Sequence, residues 1–111
     1  MIVFVYMARN AAAAFFYNQG NAYIDRGLYQ DALDSFTQSI KIKPTLAITH
    51  YSLANVYSLR DAQREAQQEY EKVIALDPQY LKAYYRLASL YSLNKEYKEA
   101  IKLGKPCLTY V

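Results

Sequence analysis

Apolar residues recur along this chain at helical rather than strand spacing. His50, Leu53, Ala54 and Tyr57 fall at i, i+3, i+4 and i+7, which puts them on one helix face. Ala66, Tyr70, Val73 and Ile74 form a second such face. The LRDAQRE segment between them is polar and too short for anything but a turn, so the two helices are expected to fold back as an antiparallel pair. Pro44 and Pro78 each follow a mixed apolar and charged run. Proline lacks the backbone donor that a helix interior needs, so both mark boundaries between pairs.

The two prolines are 34 residues apart, and a shift of 34 aligns much of the remaining chain. Phe16, His50 and Tyr84 coincide, as do Gly20, Ala54 and Ala88. Tyr23, Tyr57 and Tyr91 form a tyrosine column, Ala32, Ala66 and Ala100 an alanine column, and Phe36 and Tyr70 an aromatic one. The small residues are expected where paired helices cross. Gly27 is expected to form the turn of the first unit, with Asp61 and Lys95 at the matching places.

Columns of these residue types at this period resemble the tetratricopeptide repeat. The resemblance implies an all-α fold, an α-solenoid of antiparallel helix–turn–helix repeats wound into a right-handed superhelix. The units read as 13–46, 47–80 and 81–111, after an apolar lead-in over 1–12. About three repeats are the practical minimum for such a core, because each pair buries its apolar face only by stacking on a neighbour. The third unit departs from the pattern near its end. Gly104 stands where an aromatic belongs and Pro106 follows, so the last helix is expected to stop near Leu103, with an irregular tail from about 104. An array without a polar cap is either part of a longer one or has its open ends covered, by a partner or by self-association.

The run MIVFVYMA at the start is far shorter than the roughly 20 residues that cross a bilayer. A signal peptide would carry basic residues before the run, whereas Arg9 comes after it. The run is therefore expected to pack on the first helix or to begin a piece of a longer protein. Composition is globular, with 53% hydrophobic and 21% charged residues, and unusual in having 13 Tyr and no Trp. A net charge of +3, spread along the chain, argues against nucleic acid as a partner. Cys107 is the sole cysteine, which fits a reducing, cytoplasmic setting.

The resemblance also implies a concave groove, lined by the first helix of each pair, that takes extended peptides. Stepping about one residue around from the core stripe gives Tyr17, Asn18, Asn21 and Ile24 in the first unit. Tyr51, Ser52, Asn55 and Ser58 follow in the second, and Tyr85, Arg86, Ser89 and Ser92 in the third. Tyrosine offers a rigid apolar surface and asparagine both donates and accepts, so the set suits a peptide backbone; packing between neighbouring helices is the other reading of Tyr17, Tyr51 and Tyr85. Lys82 and Arg86 lie four apart and are expected to project together toward a carboxylate. Asn21, Lys82 and Arg86 match the carboxylate clamp of co-chaperone tetratricopeptide domains, which hold acidic chaperone tails. Tyr17 and Ser52 depart from it, standing where a lysine and an asparagine belong.

Nothing in the chain points to catalysis, a cofactor or a metal. His50 reads as a packed core residue, and Cys107 has no histidine or second cysteine near it in sequence. Asp61, Glu65, Glu69, Glu71, Glu96 and Glu99 alternate with bases and read as a solvated surface. The expected function is a non-enzymatic scaffold for a protein or peptide partner. An architectural fragment of a longer array, a regulator of an enzyme domain, and an RNA-binding helical-hairpin repeat are the alternatives; a period of 34 and the weak net charge count against the last.

Overall fold

The computed structural model describes residues 2–93, all helix and short connection. Five helices follow in order: α1 (Ile2–Asp25), α2 (Tyr29–Ile42), α3 (Ala47–Leu59), α4 (Gln63–Leu76) and α5 (Leu81–Leu93). α1 packs on α2 and α3 on α4 as hairpins, while α2 meets α3 and α4 meets α5 in the stack. Helix pairs break at Pro44 and Pro78, as the missing backbone donor requires. Lys95 and the stretch around Leu103, Gly104 and Pro106 lie outside the described residues.

Both hairpin turns use the same backbone device. Gly27 has φ +74 and Asp61 φ +63, so each helix ends on a left-handed residue. In the first turn the Leu28 N–H donates to Tyr23 O and the Gly27 N–H to Ile24 O. In the second the Ala62 N–H donates to Tyr57 O and the Asp61 N–H to Ser58 O. This is the Schellman closure, which satisfies carbonyls that a helix end would leave unpaired.

Packing explains the columns. A Cβ on Gly20 would stand 2.5 to 2.8 Å from ring carbons of Phe36, so α1 approaches α2 more closely than any side chain at that position permits. Phe36 and Tyr70 are the largest fully buried side chains, each contributing about 1.5–3 kcal/mol. Phe36 joins Ala32, Leu53 and Val56 in one cluster, and Tyr70 joins Ala66, Val73, Ala83, Leu87, Leu90 and Tyr91 in the next. Among the described residues, each cluster therefore joins one hairpin to the helix that follows it.

Two expectations are corrected. The opening run is no lead-in packed on the first helix: residues 2–12 are the first three turns of α1 itself. Glu69 is not on a solvated face either. It is 8% exposed, and its carboxylate is claimed from both sides by His50 and Lys72. The i, i+4 charge pattern cannot show this, because the partner that draws Glu69 inward is on another helix.

Candidate functional site

The first helices α1, α3 and α5 present their off-core faces to a common cavity of about 320 Å³. Asn21 and Ile24 of α1, Ser52, Asn55, Ser58 and Leu59 of α3, and Arg86 of α5 line it. Asn21, Ser52, Asn55 and Arg86 were expected there together, with Ile24 and Ser58 beside them. Leu59 is the added wall; it closes α3 one residue past Ser58, and its 60% exposure leaves an apolar edge at the mouth.

The polar groups in the cavity are held from behind. The Tyr70 hydroxyl donates to Asn55 Oδ1, which fixes the amide and turns its NH2 group outward. Burial pushes the Tyr70 phenol up to about 12, so it remains a donor at any physiological pH. The Tyr51 hydroxyl beside Arg86 holds the guanidinium above its ordinary value, with Tyr70 and Tyr85 adding to the effect. Arg86 is thus a permanent positive charge at one wall. Ser52 reaches the cavity only by its edge, being 8% exposed.

The remaining expected positions divide. Tyr51 is half-buried against Tyr70 and Tyr80, with ring centroids 5.7 and 5.1 Å away. Tyr17 leans on Phe36 at 6.0 Å. Both rings pack between helices, and neither lines the cavity. Tyr85 is the exception in its column, being 65% exposed. Asn18, Lys82 and Ser89 are exposed on the same helices but outside the cavity, and Ser89 donates to the carbonyl of Tyr85 at 3.1 Å. Lys82, four residues before Arg86 on one helix, is thus not among the residues that line this cavity.

His50 has a defined chemical environment of its own. Its Nδ1–H donates to Glu69 Oε1 and its Nε2–H to Pro44 O, both at 2.8 Å. Both partners accept, so both hydrogen bonds form together when the ring carries both protons. The hydrogen bond to Glu69 holds its pKa above 6.5 against the opposing effect of burial. Glu69 also accepts from Lys72 at 2.8 Å. The described residues contain no group of three or more His, Cys, Asp or Glu that could hold a metal ion.

Comparison with known proteins agrees with this architecture. The TPR repeat family matches residues 20–59, and the tetratricopeptide repeat family matches 47–80 and 69–102. No curated protein sequence is a significant match. Among solved structures, the first TPR of Spaghetti (RPAP3) bound to the HSP90 peptide SRMEEVD superposes with a TM-score of 0.81 at 24% identity, over 89% of this chain and 80% of that one. The MamA protein gives 0.81 at 28% identity over 85% of this chain, which spans only 51% of MamA. The TPR2B domain of yeast Sti1, in a pHsp70 complex, gives 0.79 at 26% identity, with 84% of this chain and 74% of that one covered. Sequence columns, helix pairing and these likenesses lead to one conclusion: the chain belongs to the tetratricopeptide-repeat family.

Proposed function

We propose that this chain is a non-enzymatic scaffold that binds an extended segment of a partner protein in the cavity between α1, α3 and α5. The observation that carries the reading is the meeting of Asn21, Asn55 and Arg86, from three successive first helices, at one solvent-open cavity. Two amides can grip a peptide backbone through paired donor and acceptor groups, and the fixed guanidinium can take a carboxylate in two parallel hydrogen bonds. Ile24 and Leu59 supply apolar walls for a side chain between them. The division into units 13–46, 47–80 and 81–111 belongs to the same proposal, supported by the breaks at Pro44 and Pro78. A reducing, cytoplasmic setting does too, supported by the single cysteine.

The ligand chemistry we favour is an acidic segment whose carboxylate meets Arg86. Binding of chaperone peptides by the first TPR of Spaghetti and by yeast Sti1 supports a partner of that kind. Tyr17 and Ser52 replace two clamp positions and Lys82 lies outside the cavity, so the carboxylate is held chiefly by Arg86.

The test is a titration with an acidic peptide ending in a free carboxylate, beside its amidated twin. Micromolar binding is expected for the free acid, with a loss of about tenfold in Arg86→Ala for one charge-assisted pair. Equal binding of the twins would remove the carboxylate from the reading. Binding untouched by both Asn55→Ala and Arg86→Ala would place the ligand elsewhere.

A further inference from the structure

The start of α1 reaches past the helix that packs against it. α2 ends level with Arg9 and Asn10: the Arg9 guanidinium donates to Ile42 O, and the Lys43 ammonium to Asn10 Oδ1, both at 2.7 Å. Residues 2–8 project beyond this level by roughly 10 Å at 1.5 Å per residue. They carry Ile2, Val3, Phe4, Val5, Tyr6 and Met7, which are 57 to 86% exposed. An apolar surface of this extent on a soluble helix marks a contact.

The distribution of that surface says what kind of contact. A helix that docks on another protein needs one apolar stripe about 100° wide. Six consecutive apolar residues cover the full circumference, so a single packed face would leave the rest in water, whereas hydrocarbon would cover all of it. Immediately behind lies a cleft of about 210 Å³ lined by Tyr6, Arg9, Asn10, Lys43, Pro44 and Thr45. It holds two cations and no carboxylate, and Lys43 sits 5.4 Å from the Tyr6 ring centroid. Arg9 and Lys43 each retain N–H donors beyond the one hydrogen bond described. Lys41 is exposed on the last turn of α2, and α1 contains no acid before Asp25.

We propose that this end of the array docks on an anionic membrane surface. Residues 2–7 enter the boundary between headgroups and acyl chains, while Arg9, Lys41 and Lys43 meet lipid phosphates. No described helix is long and apolar enough to cross a membrane, so the contact is peripheral. The residues involved are distinct from those lining the groove, which would remain open to a peptide and would be held at the bilayer.

The chain has no tryptophan, so Phe4→Trp provides a single, selectively excitable tryptophan at the inserting site. Its emission is expected to shift to the blue on vesicles of equal parts phosphatidylcholine and phosphatidylglycerol, and far less on phosphatidylcholine alone. In sedimentation with the same vesicles, Phe4→Asp should abolish binding of the full chain. Lys43→Gln should weaken it about fivefold, the effect of one basic residue near a charged surface. Circular dichroism of both variants checks that the helices persist, and unchanged peptide binding by Phe4→Asp separates this surface from the groove. Absence of vesicle binding would overturn the proposal, as would full binding by Phe4→Asp. A lipid-free dimer that Phe4→Asp dissolves would overturn it too, by assigning the surface to a second copy.

Discussion

His50 and Glu69 form an ion pair across the α3–α4 hairpin, with a 2.8 Å hydrogen bond and both side chains buried. The other ring nitrogen donates to Pro44 O, in the connection between the first two hairpins. One imidazolium therefore ties the α2–α3 connection to α4. Lys72, 58% exposed, supplies a second cation to the same carboxylate.

This arrangement fixes a pH dependence. His50 is raised above 6.5, chiefly by the bond to Glu69, so its contribution to stability is complete below pH 6.5 and is lost as pH rises through the raised value. For Glu69, burial acts upward but the bonds from His50 and Lys72 outweigh it and hold the carboxyl below 4.5. Its contribution is present above 4.5 and disappears as pH falls through the lowered value. Thermal melts should therefore show a plateau between about pH 4.5 and 6.5, with a decline on the alkaline side from His50 and on the acid side from Glu69. His50→Gln should cost about 1.5–3 kcal/mol on the plateau and flatten the alkaline decline. A variant that keeps the decline would place the titrating group elsewhere.

Gly20→Ala should destabilise the first hairpin by about 1–3 kcal/mol, since the added methyl meets the Phe36 ring at 2.5 to 2.8 Å. Gly20→Ala combined with Phe36→Leu should recover part of that loss. The coupling, read from urea denaturation of all three variants, distinguishes steric contact from helix propensity, which by itself favours alanine.

The paired turns predict opposite effects at equivalent positions. Nothing lies within 4 Å of a Cβ at Gly27, so Gly27→Ala isolates the cost of the left-handed backbone, about 1 kcal/mol. Asp61 already bears that cost at φ +63, and Asp61→Gly should leave stability unchanged or raise it by up to about 1 kcal/mol. Melting temperatures that fall equally in both would contradict the shared turn geometry.

Tyr70→Phe removes the hydroxyl that orients Asn55 while keeping the ring in the core. Stability should drop by about 1 kcal/mol. Peptide affinity should drop as well if the Asn55 amide contacts the ligand, and calorimetric titration beside Asn55→Ala would measure how much of that contact depends on Tyr70.

The period of 34, the prolines at 44 and 78, the small-residue column at 20 and 54, and the turns at 27 and 61 were legible in the chain. The prolines and turns express local rules of backbone geometry that act over a few residues, and the small-residue column showed because it recurs with the period. Cavity residues were legible in part. Helical geometry gives the face of a residue on its own helix, and the faces it gives to Asn21, Asn55 and Arg86 are those that line the cavity.

How far a face is covered depends on the neighbouring helix, and only the tertiary structure decided that. It turned Tyr17 and Tyr51 into inter-helix packing and left Tyr85 exposed, although all three share one column. It also left Lys82 outside the lining of the cavity that Arg86 borders, and brought Glu69 inward to His50 across a distance of 19 residues in sequence. The sequence by itself determined the repeat, the helix breaks at Pro44 and Pro78, and the turns at Gly27 and Asp61. The tertiary structure decided which polar groups meet, because the energy of a charge or an amide is set by the partner and the burial that other helices provide.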